Sequence, residues 1–120
     1  MIKRIHSTLF LCKDINQTAQ FYKDMGFAVN ISSDAVRIVF GDYRLAFIDE
    51  SKATVKDDIA IKRGGGIFIY FEVENVDYFY HILEEKNIKS VGEPQSYPWG
   101  KREVKVIDPD GYNLIFFSII

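Results

Sequence analysis

Few side chains in this sequence can do chemistry. His6 and His81 are its two histidines, Cys12 is its one cysteine, and Glu72 and Glu103 are carboxylates set inside apolar, strand-like runs. A zinc, iron or manganese centre needs three or more N, O or S donors converging on one point, and no segment supplies them. His81 is read as a helix-surface histidine without an i+4 partner. No nucleophile–base–acid set is visible. "KRGGG" (62–66) lacks the spacing and strand-to-helix context of a phosphate loop. Cys12 precedes a predicted helix, where a thiol pKa can fall, but strand alternation turns it toward that helix, as expected of a buried, inert cysteine. Tyr70, Tyr97 and Trp99 suit stacking on a planar or cationic ligand. Arg44 and Arg102 suit an anionic group. A buried arginine is costly unless paired, so an inward Arg44 must meet something polar, Glu72 being one choice.

These groups are positioned by a short list of elements. "IHSTLFLC" (5–12) reads as a strand leading to Asp14, a helix N-cap with Gln17 three residues on. Ile15, Thr18, Ala19, Tyr22 and Met25 follow at helical spacing, and Gly26 ends the helix. The runs "FAVNI", "VRIVF" and "RLAFI" are strands punctuated by "SSD" and "GDY". The second half repeats the plan: strand "IFIYFEV", cap Asn75, a helix "VDYFYHILEEKN" burying Val76, Phe79 and Leu83, then "REVKVI", the turn "DPDG" and "YNLIFFSI". "LFLCKD" (9–14) aligns with "YFEVEN" (70–75), and "DYRLAF" (42–47) with "GYNLIF" (111–116), in the same order. The sequence therefore predicts an α+β fold of two βαβββ modules in a single domain. Module one spans about 1–49, a charged, mobile connector about 50–65, and module two about 66–120.

Each helix must cover one face of its sheet. By alternation that face holds Ile69, Phe71, Val73, Leu45, Phe47, Leu114 and Phe116. The opposite, concave face holds Ser7, Leu9 and Leu11; Arg44, Ala46 and Ile48; Phe68, Tyr70 and Glu72; Asn113, Ile115 and Phe117. An apolar face with a few polar groups fits a small-molecule cavity, and equally fits plain core or an oligomer interface.

The bulk properties narrow the partners. The chain has 120 residues, 48% of them hydrophobic, with 15 basic and 17 acidic residues and a formal charge of −2. That is enough for a core without staples and shows neither a nucleic-acid nor a membrane surface. One cysteine excludes an internal disulfide and suits a reducing cytoplasm. "MIKRIHSTLF" lacks the apolar core of a signal peptide. A cytoplasmic protein is expected.

The paired βαβββ plan, the run at Asp14, Phe21, Tyr22, Gly26 and Phe27, and "PWG-x-R…DPDGY" from Pro98 to Tyr112 resemble the vicinal oxygen chelate superfamily. Its members include glyoxalase I, bleomycin-resistance proteins and extradiol dioxygenases. The resemblance implies curved mixed sheets around a cavity and a homodimer. It also implies that metal-dependent members carry His, Glu or Gln ligands at positions that here are Ser7, Ala46, Phe68 and Ile115. None of the four suits a divalent ion; His6, one residue from Ser7, faces the other side of its strand. The expectation is therefore no metal, no cofactor and no catalytic residue. It is a small-molecule binder of the bleomycin-resistance type, holding an antibiotic or aromatic metabolite between Ser7, Leu9, Arg44, Ala46, Phe68, Tyr70, Trp99, Arg102, Asn113, Ile115 and Phe117. Two alternatives stay open. One is a metal-dependent lyase or dioxygenase with a displaced site drawing on His6, His81, Glu72 and Glu103. The other is an interaction module whose concave face is filled by its own side chains.

Overall fold

The structure is a computed structural model that describes residues 1–53 and 64–120; most of the expected connector lies outside the described residues. The chain divides into two compact units, Met1–Ile61 and Lys62–Ile120.

In the first unit, β1 (Ser7–Cys12) leads through Asp14 into α1 (Ile15–Asp24), followed by β2 (Val29–Ile31), β3 (Ala35–Phe40) and β4 (Tyr43–Asp49). Asp14 sits in extended backbone, and its carboxylate accepts the amides of Asn16 and Gln17 at 2.9 and 3.2 Å. It thus satisfies donors that a helix start leaves orphaned. The helix ends where Gly26 takes φ +104 and the Phe27 amide donates to the Tyr22 carbonyl at 3.1 Å. This is a Schellman closure that needs a left-handed residue. The sheet order is β1-β4-β3-β2, with β1 parallel to β4 and the other pairs antiparallel. Phe47, fully buried, stacks on Phe10 at 5.0 Å and packs against Tyr22 at 4.8 Å.

The second unit repeats this with β5 (Phe68–Glu72), α2 (Val76–Glu85), β6 (Val91–Ser96), β7 (Lys101–Ile107) and β8 (Asn113–Ile119), in the order β5-β8-β7-β6. Asn75 caps α2 by accepting the Tyr78 amide, and Asn87 at φ 59 closes it as Gly26 closes α1. Phe116 stacks between Phe71 at 5.1 Å and Phe79 at 4.5 Å. The α+β plan of two βαβββ modules is thus the observed one.

One strand, β6, was not among the strand-like runs. "VGEPQS" contains Gly92 at φ +77 and Pro94, both poor in strands. It is tolerated because β6 is the sheet edge, with a register shift between Val91 and Gln95.

The "DPDG" turn joins β7 to β8. The Asp108 carboxylate accepts the amides of Asp110 and Tyr112, both at 2.9 Å. Against this turn lies Gly64: a Cβ there would stand 2.3 Å from the Gly111 carbonyl oxygen. The Asn113 side-chain amide fastens the same segment by donating to the carbonyls of Gly64 and Ile67 at 3.1 and 3.4 Å. Gly64→Ala is therefore expected to destabilise more than Gly66→Ala. Both residues have positive φ, but a Cβ at Gly66 meets nothing within 4 Å. Gly66→Ala carries only the conformational cost, about 1 kcal/mol; the backbone clash at Gly64 adds at least about 1 kcal/mol more. Urea unfolding of the two variants measures the difference, and equal midpoints would contradict the close approach.

Candidate functional site

With one helix per sheet, the other face of each sheet is open, and register decides what it displays. In the second unit, Phe68, Tyr70 and Glu72 of β5 stand opposite Asn113, Ile115 and Phe117 of β8. Lys105, Glu103 and Lys101 of β7 stand opposite Ile115, Phe117 and Ile119. Phe68, Tyr70 and Trp99 are exposed, whereas Ile115 is buried.

Glu103 is the polar centre of this face. It is only 7% exposed. One carboxylate oxygen accepts the Tyr70 hydroxyl at 3.3 Å and the other accepts the Trp99 indole N–H at 2.7 Å. Burying a carboxylate is expensive unless its oxygens are satisfied, so these two donors explain how it is kept there. The Tyr70 phenol is pushed above its ordinary pKa, first by desolvation, then by the Glu103 charge and their hydrogen bond. Trp99 stacks flat on Tyr97, 4.6 Å between centroids and 5° between planes. The Lys101 ammonium lies over Tyr70 at 5.2 Å and Phe117 at 4.8 Å, and that of Lys105 over Phe68 at 5.8 Å, all cation–π distances. Beside them opens a hollow of about 340 Å³, lined in part by Gln95, Tyr97, Glu103, Lys105 and Ile115.

The open face of the first unit is built alike and furnished differently. Ser7 and Leu9 of β1 lie opposite Arg44 and Ala46 of β4, which lie opposite Val39 and Arg37 of β3. Leu9 is exposed and Ala46 buried. The Ser7 hydroxyl stands 3.1 Å from His6 Nδ1. Among the described residues, the buried Arg44 Nε has no hydrogen-bond partner.

Three expectations change here. Arg102 alternates with Lys101 and Glu103 and so belongs to the helix side. Its Nε and Nη2 grip the Asp77 carboxylate of α2 at 2.9 to 3.1 Å, and Nη1 donates to Ser96 at 3.2 Å. Asn113 shares the open face by register but spends its amide on Gly64 and Ile67. His81 does have an i+4 partner: Glu85 Oε1 lies 3.1 Å from its Nε2 on the exposed side of α2. Cys12 is fully buried. The residues missed as site members are Arg37, Lys101 and Lys105, with Glu103 weighed only as a metal donor. The signal was present: Lys101, Glu103 and Lys105 share one phase of β7, and the other phase is Arg102, Val104 and Val106.

The sequence matches the family model described as Glyoxalase-like domain over residues 5–117. The chain belongs to the glyoxalase-like family. Solved structures share its fold. A hypothetical protein from S. aureus is 23% identical, with 98% of this chain and 94% of that one covered and a TM-score of 0.73. A member of the glyoxalase/bleomycin resistance protein/dioxygenase superfamily from Sphaerobacter thermophilus is 23% identical, with 98% of each chain covered and a TM-score of 0.75. A lactoylglutathione lyase from Agrobacterium tumefaciens is 20% identical, with 98% and 94% covered and a TM-score of 0.73. No curated protein matches the sequence.

Glyoxalase-like folds imply a metal, so the donor chemistry of this chain decides whether one fits. At the positions carried over from the superfamily stand the hydroxyl of Ser7, the methyl of Ala46, the ring of Phe68 and the aliphatic side chain of Ile115. Ala46 and Ile115 are buried apolar groups with nothing to donate. Among the described residues no three His, Cys, Asp or Glu side chains are grouped to hold an ion. The residues present do not fit the family metal.

Replacing Glu103 tests the buried network. Glu103→Gln removes a negative neighbour from Tyr70, so the Tyr70 pKa should fall toward the ordinary phenol value. It should remain above that value because desolvation, its largest cause, persists. An NMR titration of the Tyr70 ring carbon reads this shift; a Tyr70 pKa unmoved by the substitution would dissociate the two groups.

Proposed function

We propose that this glyoxalase-like chain binds a small, planar, partly aromatic molecule without a divalent ion, and sequesters rather than transforms it. The observation that carries this reading is the open face of the second unit. Exposed Phe68, Tyr70 and Trp99 offer π surfaces, the adjoining hollow has the volume of a small organic group, and Glu103 supplies a fixed acceptor. Each oxygen of Glu103 accepts one hydrogen bond, from Tyr70 or from Trp99, which fixes the carboxylate while leaving lone pairs for a donor on the ligand. The metal positions filled by Ser7, Ala46, Phe68 and Ile115 support the metal-free part of the proposal. Antibiotics and aromatic metabolites are the ligand classes that suit such a surface. A homodimer, usual in the superfamily, and a reducing cytoplasm, suited to a lone buried cysteine, complete the proposal. Among the described residues no helix is long and apolar enough to cross a membrane.

Isothermal titration against a panel of aromatic antibiotics and metabolites is the test. At least one compound should bind, with the same affinity in the presence of EDTA, and Trp99→Ala should weaken it about tenfold by removing a stacking surface. Silence across the panel would count heavily against sequestration. Stoichiometric metal in the purified protein, required for binding, would return the reading to a metalloenzyme.

A further inference from the structure

We propose that the open face of the first unit is an oxyanion site, built on Arg44 with Arg37, that takes a carboxylate or phosphate group of the ligand. This rests on the reading of the open faces as ligand surfaces and adds the ligand's charge. The strand register places Arg44 opposite Val39, and Arg37 two residues from Val39 opposite Ala46. The two arginines are therefore diagonal neighbours on one face, with roughly 7–8 Å between such positions. Two guanidinium groups on long stems can converge on one anion across that gap.

The charges around them are unbalanced. Among the described residues the buried Arg44 Nε of this half-buried side chain donates to nothing, and leaving a buried donor unsatisfied is costly. Among the described residues neither arginine has an acidic partner. Among the described acids of the unit, Asp14 caps α1, Asp24 accepts from Gln20, Asp34 accepts from Ser32, Asp42 faces Arg4, and Asp49 accepts from Ser51. Two neighbouring positive charges repel, and each lacks what a guanidinium recognises best, a planar or tetrahedral set of anionic oxygens. A bound oxyanion removes the repulsion and satisfies the Arg44 donor at once. Arg102 makes the contrast: its fork is filled by Asp77 and Ser96, so it is already spent.

The experiment titrates isotopically labelled protein with benzoate, phenyl phosphate and neutral benzamide, following the side-chain Nε–H signals of Arg44 and Arg37 together with affinity. Both anions should shift the Arg44 signal, and benzamide should bind at least about tenfold more weakly. The ratio of benzoate to phenyl phosphate affinity separates a carboxylate from a phosphate. Arg44→Met, and independently the exposed Arg37→Met, should each reduce anion affinity about tenfold while leaving benzamide unchanged. Benzamide binding as tightly as the anions, or anions binding with both arginine signals undisturbed, overturns the oxyanion site and leaves the binding-protein reading standing. Failure of all three probes overturns it as well, whereas an uncharged compound from the aromatic panel that still binds would keep the broader reading.

Discussion

The structure depends on a shortage of covers. Each unit has one four-stranded sheet and one helix, and a helix can bury only one face of a sheet. Side chains alternate strictly along a strand, so once Phe47 and Phe116 are committed to the helix side, Ala46 and Ile115 must point the other way. Everything functional follows from that geometric constraint. The aromatic stacks of Phe10, Tyr22 and Phe47 in one unit and Phe71, Phe79 and Phe116 in the other hold the register. The register then dictates the open faces residue by residue.

Much of this was legible from sequence because the signals were local. Asp14, Asn75 and Gly26 declare helix ends through their own side-chain or backbone chemistry, and the repeat of "DYRLAF" in "GYNLIF" announces the second unit. Strand β6 was harder to see, since an edge strand with Gly92 and Pro94 survives through position rather than propensity. The site was less legible than the fold for a related reason. Arg102 and Arg44 look alike in sequence, but one lies on the helix side within reach of Asp77 and the other does not. Which face a residue at a strand start occupies depends on one step of register. Glu103 was visible as a carboxylate in an apolar strand, but its two donors arrive from β5 and from the loop before β7, and such convergence is written only in three dimensions.

Side chains on the face away from the helix are replaceable without disturbing the helix-side core. Ala46 and Ile115 occupy repeat-related positions and fill them with hydrocarbon. Nothing in the stacking of Phe47 or Phe116 requires a metal on the reverse side. The fold therefore sets which side chains share a face, and those side chains, not the fold, set its chemistry.

Repeat-related positions also show how the two faces have diverged. Arg44 and Asn113 occupy the same place in their units, each one residue before the core leucine of its strand. Asn113 is consumed by structure: its amide ties Gly64 and Ile67 to β8 beside a backbone contact too close for any side chain. Arg44 has no such duty, and its buried Nε is left without an acceptor. An arginine whose buried Nε finds no acceptor among the described residues is poorly explained by stability, because a neutral residue of similar volume would leave no such donor unsatisfied. The second unit differs again, for the charge on its open face is the buried Glu103 carboxylate, which accepts from Tyr70 and Trp99.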